Sequence, residues 1–319
     1  MSKKLRLLIV TNRFHPQIGG AELNIFLQAQ ELSKHFEVDV FTPLRDNNPR
    51  SETVEGVDIT RGFNWLNIRK QYPDLQSKTF CPSVFFKALF GKYDVIHCFP
   101  AFNYNNIMAL IAGKIRGVPV FMSLFDLDDY ASLIESGLSI EQIFEQQKRM
   151  TGEGINLIGK FNAIFTISNR ETETIKTINE NTFLSTVPIV LDEYEAEIDA
   201  VDFKKRYHIP ADVPLILCLG RVAKIKGPDI LVKALPLLLE KTKDFHVAIV
   251  GRTDYEPEYV HDMERFIEEH DLKNHVTLTG VLPREDVIAA LKSCDVHVLP
   301  VRFMNSGAVV IETWAAYKP

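Results

Sequence analysis

Three stretches of the sequence combine residue types that could hold a phosphorylated or hydroxylated ligand. The first is Gly220-Arg221-Val222-Ala223-Lys224-Ile225-Lys226-Gly227-Pro228. Arg221 ends an apolar run, and Lys226 precedes a helix that Pro228 opens at its first position. Cations there oppose the positive end of the helix dipole, a cost that a bound anion removes. A diphosphate satisfies both, with Arg221 gripping two oxygens and Lys226 acting as a point charge; a pair of solvated loop cations is the plainer alternative. The second stretch runs from Thr11 to Glu22 and places Gly19-Gly20 before a helix. Paired glycines let the backbone approach a ligand, and the helix start offers N–H groups to an anion, although an ordinary turn has the same pattern. It does not match GxGxxG, which disfavours a nicotinamide enzyme. The third lies between Phe303 and Tyr317, where Glu312 is the only charged residue. A carboxylate on so apolar a helix needs donors, either ribose or sugar hydroxyls or a structural arginine. Asn305-Ser306-Gly307 ahead of it reads as a helix N-cap with open N–H groups.

These stretches need strands and helices to aim them. Leu5–Val10 is a continuous apolar run, as in a strand buried on both faces of a parallel sheet. The glycine loop, an amphipathic stretch from about Ala21 to His35, and Val38–Thr42 complete a βαβ unit. Val95–Cys98, Pro119–Leu124 and Ala163–Ser168 continue the series. The rhythm restarts at Pro214–Gly220, followed by Phe245–Gly251, Val276–Gly280 and Val296–Pro300. Alternating β and α elements predict an α/β fold with doubly wound parallel sheets, which bind ligands in the loops after their strands. Between the halves, Asp192–Asp202 holds six acidic residues. The expected domains are therefore 1–195 and 196–319.

Composition limits the rest. The 319 residues are 46% hydrophobic and 24% charged with a net charge of −6, a globular balance without the basic footprint of a nucleic-acid binder. Cys81, Cys98, Cys218 and Cys294 form no CxxC or zinc spacing and read as reduced core thiols of a cytoplasmic protein. No run approaches the roughly 18 apolar residues of a spanning helix. Residues 61–92 depart from the acidic average: Arg61, Arg69, Lys70, Lys78, Lys87 and Lys92 face Asp74 alone, interleaved with aromatic residues. That mixture suits peripheral contact with an anionic membrane at its inner face or with a lipid-linked acceptor, or else a solvated helix face over core phenylalanines.

The FHPQIGGAE loop, the GRVAKIKG loop and the SGAVVIETWAA helix, in that order and spacing, resemble family 4 (group 1) retaining glycosyltransferases of the GT-B fold. The resemblance covers nearly the whole chain. It implies two Rossmann-like domains, an N-terminal one for the acceptor and a C-terminal one for a nucleotide-sugar donor such as a UDP- or GDP-sugar, which is a substrate and not a cofactor. It implies that Gly19 and Gly20 line the donor site, that Arg221 and Lys226 bind the diphosphate, and that Gly251 flanks it. Val281 and Leu282 would face the nucleobase, Asn305, Ser306 and Gly307 would cap the helix at the donor, and Glu312 would hold the ribose. No metal is expected, since protein cations take over its charge stabilisation. Asp126 would orient the acceptor, a glycan or lipid-linked hydroxyl.

The chain departs from the family pattern at three places. Met304 stands where a first glutamate contacts the transferred sugar, Phe125 where a histidine lies near it, and Thr253 where a glycine is usual. They motivate the alternative of a catalytically silent GT-B homologue that binds nucleotide sugar or regulates a partner. Asp126-Leu127-Asp128 also admits a metal-dependent GT-A enzyme, which two Rossmann-like halves disfavour. His97 matches another family position but equally reads as a structural strand-end histidine. The resemblance further implies a second domain that stops short, because the family continues beyond the Tyr317-Lys318-Pro319 end.

Overall fold

The computed structural model describes residues 4–16, 20–45, 48–65, 79–99, 103–124, 157–185, 194, 200–302 and 308–319. They form two compact units, 1–188 and 189–319. The dividing point falls ahead of the acidic stretch, and Tyr194 joins the core of the second unit.

The first unit is an eight-stranded sheet. Its strands are β1 (Arg6–Val10), β2 (Glu37–Pro43), β3 (Ser51–Val54), β4 (Val57–Gly62), β5 (Val95–Cys98), β6 (Val120–Ser123), β7 (Ala163–Thr166) and β8 (Thr182–Leu184). They lie in the order β3-β4-β2-β1-β5-β6-β7-β8, all parallel except the β3–β4 pair. Within β1, Leu7 and Ile9 enter one core with α1 (Gly20–Ser33), whereas Leu8 and Val10 enter the other. That second face carries α2 (Ser83–Phe90) and α3 (Tyr104–Arg116). This two-sided burial is why the run is apolar at every position instead of alternating. A further helix, α4 (Asn169–Lys176), precedes β8.

The β3–β4 hairpin and β8 are additions to the expected strands. The hairpin turns on Glu55-Gly56, both at positive φ (49° and 81°), as a two-residue loop of the twist-matched type requires. Glutamate in place of the usual Asn or Asp hides that signal, and the solvent-facing residues of β3 supply little apolar content.

The second unit begins its described helices with α5 (Ala200–Arg206). Its sheet has the order β11-β10-β9-β12, all parallel, from β9 (Leu215–Leu219), β10 (His246–Val250), β11 (Val276–Gly280) and β12 (Val296–His297). The remaining helices are α6 (Pro228–Leu239), α7 (Pro257–Glu269), α8 (Arg284–Ser293) and α9 (Ala308–Ala315). Leu215, Leu217 and Leu219 pack with α8 on one face, and Cys218 packs with α6 and α7 on the other. All four cysteines are free and buried, and burial pushes the Cys81 thiol up to about 12.

Topology singles out two loops. In the first sheet the chain proceeds one way from β1 to β2 and the other way from β5 to β8, so the order reverses between β1 and β5. In the second, β10 and β11 lie on one side of β9 and β12 on the other. The crevice beyond such a reversal is where open α/β sheets take ligands. The residues there are the two glycine-bearing loops, after β1 and after β9.

Candidate functional site: the strand ends of the second unit

The loops after β9, β10 and β11 meet at the carboxyl edge of the sheet. Gly220 donates its N–H to the Val250 carbonyl at 2.9 Å, Gly251 to that of Gly280 at 2.9 Å, and Val222 to that of Arg252 at 2.9 Å. All three glycines have positive φ, +148° at Gly220 and Gly251 and +73° at Gly280. A Cβ on Gly251 would stand 1.9 Å from the Gly220 carbonyl oxygen, so here glycine lets two backbones touch. No atom stands within 4 Å of where a Cβ would be at Gly220 or Gly280. The result is a shelf of bare backbone at the reversal point, with Arg221 on its rim. Beside Gly280 and Thr253 opens a cavity of about 400 Å³, which Leu278, Thr279, Pro257 and His261 also line. Val281, 71% exposed, projects from its edge, whereas Leu282 packs inward.

Arg221 is exposed, and its guanidinium lies over the Tyr255 ring at 4.8 Å. A guanidinium held over a ring face keeps N–H groups able to bond two phosphate oxygens. Tyr255 carries no motif and lies 34 residues on; its aromatic type between two loop ends is the only trace it leaves in the sequence. The backbone N–H groups of Lys226 and Gly227 both bond the Ala223 carbonyl, at 2.9 and 3.2 Å, which closes the loop into one turn. Gly227, at φ +69°, caps α6, and a Cβ there would meet the Pro300 carbonyl oxygen at 2.1 Å.

An anion already sits at the start of α6, and it is Asp229. Its carboxylate takes two bonds from Arg302, each 2.8 Å, a third from Lys233 at 3.2 Å and a fourth from the Tyr259 hydroxyl. The hydrogen bonds, that from Arg302 foremost, hold the Asp229 carboxyl well below the usual carboxylate range. The first free N–H groups of the helix are also engaged, Asp229 with Tyr259 Oη at 3.1 Å and Ile230 with the Gly227 carbonyl at 2.8 Å. Arg302 in turn donates to the Lys224 carbonyl at 2.7 Å, and its own N–H to that of Ile225 at 3.0 Å. Asp229 and Arg302 therefore brace the loop, and the start of α6 is not an open anion site.

Glu312, on α9, has found the arginine that the sequence reading allowed for. Arg284 Nη1 lies 2.5 Å from Oε1, the Tyr194 hydroxyl donates to the same oxygen at 3.0 Å, and Arg284 Nη2 donates to that hydroxyl at 2.8 Å. Both partners bond Oε1, and among the described residues Oε2 takes no hydrogen bond. Burial, then the Glu312 charge, push the Tyr194 phenol up. Nearby, His297 of β12 bonds Thr313 of α9 at 2.8 Å, and burial lowers its pKa to about 4.

In the first unit, Gly20 opens α1 with no atom within 4 Å of a would-be Cβ. The loop after β1 is held by amides: Thr79 Oγ1 and Asn105 Nδ2 donate to Asn12 Oδ1 at 2.7 and 3.1 Å, and Asn105 Oδ1 accepts from the Cys81 N–H at 2.8 Å. His97 is buried on β5, bonds Ser123 at 2.8 Å and lies 4.1 Å from the Phe99 ring centroid; burial lowers its pKa to about 3. That is the structural of its two readings. Gly19, Asp126, Asn305, Ser306 and Gly307 lie outside the described residues, as do Phe125 and Met304. Arg61 is buried on β4 and paired with Glu52, and Lys87 is paired with Asp39, so neither is a free surface cation.

Residues 200–319 match the family model described as glycosyl transferases group 1. That match lies within the second unit. The chain is 23% identical over 309 residues to the GDP-mannose-dependent alpha-(1-6)-phosphatidylinositol monomannoside mannosyltransferase of Mycolicibacterium smegmatis, covering 94% of this chain and 74% of that relative. It is also 23% identical to the D-inositol 3-phosphate glycosyltransferase of Xylanimonas cellulosilytica, covering 94% and 70%. Among solved structures it superposes on Anabaena Alr3699/HepE in complex with UDP and glucose, with TM-score 0.73 and 17% identity over 99% of this chain and 79% of that one. The lipopolysaccharide glycosyltransferase WaaG superposes with TM-score 0.66 and 14% identity over 98% and 80%. The chain thus has the GT-B fold, two α/β units whose sheets are parallel apart from the β3–β4 pair.

Proposed function

We propose that the chain moves a sugar from a nucleoside-diphosphate sugar to an acceptor hydroxyl, with retention at the anomeric carbon. The observation that carries the reading is the glycine-cleared shelf at the reversal point of the second sheet, with Arg221 and Lys226 in the loop that forms it. Bare backbone lets a diphosphate approach, and the two cations take up the charge that grows on it as the sugar departs. The acceptor hydroxyl attacks from the face the leaving group vacates. Gly251 keeps the shelf closed against Gly220, Val281 and the Leu282 backbone border the base, and Oε2 of Glu312 accepts from the ribose. Asn305, Ser306 and Gly307 serve the donor together with Gly19 and Gly20, and Asp126 orients the acceptor. The protein cations make a metal unnecessary. The relatives named for GDP-mannose and inositol phosphate support a hexosyl donor and a phosphorylated or lipid-linked acceptor.

Met304, Phe125 and Thr253 favour one second reading, a silent homologue that binds the nucleotide sugar without transfer. Incubation with labelled UDP- and GDP-sugars and a panel of acceptors separates the two. Transfer or hydrolysis establishes the enzyme, tight binding with neither establishes the silent protein, and no nucleotide binding at all refutes both.

A further inference from the structure

The outer faces of α2 and α3 are unlike the rest of the surface. Phe86, Phe90, Ile111 and Ile115 are between 48% and 71% exposed. Large apolar side chains left in water singly are common, but these lie on two helices that share one core and begin side by side, where the Cys81 N–H bonds Asn105. On α2, Val84 and Ala88 face inward, and Phe86 and Phe90 stack outward at 6.5 Å with ring planes 7° apart. Neither helix contains an aspartate or a glutamate, in a chain whose net charge is −6. Lys92 follows α2, and Lys114 and Arg116 end α3, all three exposed. Favourable placement at a helix C-terminus accounts for the three cations, Lys92 following the Gly91 cap of α2, but not for the phenylalanines. The outer face of α7, by contrast, presents Glu258, Asp262, Glu264 and Arg265 to water.

We infer that the α2–α3 face docks on an anionic lipid surface. Aromatic and branched side chains enter the headgroup boundary while the three cations meet lipid phosphates, a pairing that needs both an apolar stripe and an adjoining basic end, where the cations outnumber the exposed carboxylate of Asp94, itself bonded by the Arg6 N–H. A second copy of the chain fits less well, because a two-fold contact on this face would oppose Lys92, Lys114 and Arg116 to their own counterparts. The inference stands apart from the transfer reaction, since no residue of the shelf takes part.

The test is co-sedimentation of the full chain with vesicles. Binding is expected to mixed phosphatidylcholine–phosphatidylglycerol vesicles, weak to pure phosphatidylcholine, and reversed by salt. F86S/F90S and K92E/K114E/R116E should each keep the wild-type melting temperature, and the charge variant should lose affinity by roughly fivefold per cation removed. R221A should bind vesicles as the wild type does, so failure of the nucleotide site and failure of the docking face give different results. Equal binding to both vesicle types, unchanged binding by the two surface variants, or a wild-type dimer that F86S/F90S converts to monomer would each overturn the inference.

Discussion

The two units present the same edge to a ligand and furnish it differently. Beyond β9 the second unit sets Arg221, Lys226 and the Asp229–Arg302 brace, all charged. Beyond β1 the first unit sets Asn12, Thr79 and Asn105, amides and a hydroxyl bonded to one another in a buried knot, with Arg45 and Arg61 turned onto the Asn12 and His15 carbonyls. The arginines about the β1 loop serve its backbone, whereas Arg221 stands exposed at the rim of the shelf, the posture that suits a diphosphate.

The largest expected effect strikes the charged edge. R221A and K226A should each weaken nucleoside-diphosphate binding roughly 10- to 100-fold, the loss of a charge-assisted contact, and the pair together should abolish it in calorimetry. R221A should leave the melting temperature unchanged, because Arg221 is exposed.

The braces come next, and they distinguish the units by stability. N105A leaves the Cys81 N–H and Asn12 without their buried partner and should cost about 2 kcal/mol in denaturant unfolding. Nucleotide affinity should be untouched by it. D229A should cost a similar amount, about 2 kcal/mol, since Arg302 is partly exposed and can be rehydrated. Unlike N105A, it should also weaken nucleotide binding by loosening the Lys224–Ile225 backbone that Arg302 holds. If D229A and N105A behave alike toward nucleotide, the contrast between the edges fails.

A smaller effect is expected at Glu312. With Oε1 engaged by Arg284 and Tyr194, E312Q keeps a carbonyl for those donors and should leave folding nearly unchanged, while nucleoside-diphosphate affinity drops about tenfold. A large fall in stability with unaltered affinity would make the carboxylate structural only.

The gentlest effect is on pH. Histidines sit against a hydroxyl in both units, His97 against Ser123 in the first, and His246 against Thr277 and His297 against Thr313 in the second. Burial lowers the folded pKa from 6.5 to about 3 at His97 and to about 4 at His297, and lowers that of His246 as well. The unfolded chain therefore binds more protons below about pH 6.5, so stability is full above that pH and declines as pH falls toward the folded values. Denaturant titrations between neutral and mildly acid pH should show that decline, and H97Q should reduce it. Stability that stays flat through this range would contradict the buried, neutral assignment.

Much of this was legible because it rests on local patterns. Leu7 to Val10 and Leu215 to Leu219 are buried on both faces, so their runs are apolar throughout, and Gly227-Pro228 announces a helix start without ambiguity. What stayed hidden depends on partners distant in sequence. Asp229 looks like an ordinary acidic residue of a first turn, and only folding brings Arg302, 73 positions away, onto it. Arg284 reaches Glu312 across 28 positions, and Tyr255 meets Arg221 through the adjacency of two loops. Residue type reported that Glu312 needed a donor; it could not say which one. Asp229, the anion that compensates the α6 dipole, stands two residues beyond Gly227, but its commitment to the loop depends on Arg302 and is not visible in the sequence.

The central claim is that the second unit's shelf holds a diphosphate through Arg221 and Lys226. Titration calorimetry of the wild-type chain and of R221A/K226A with UDP, GDP, the corresponding monophosphates and the bare nucleosides tests it most directly. The account predicts that one diphosphate binds the wild type, that affinity falls from diphosphate to nucleoside, and that the double variant loses the diphosphate preference while remaining folded. A folded double variant that binds UDP or GDP as tightly as the wild type would contradict it.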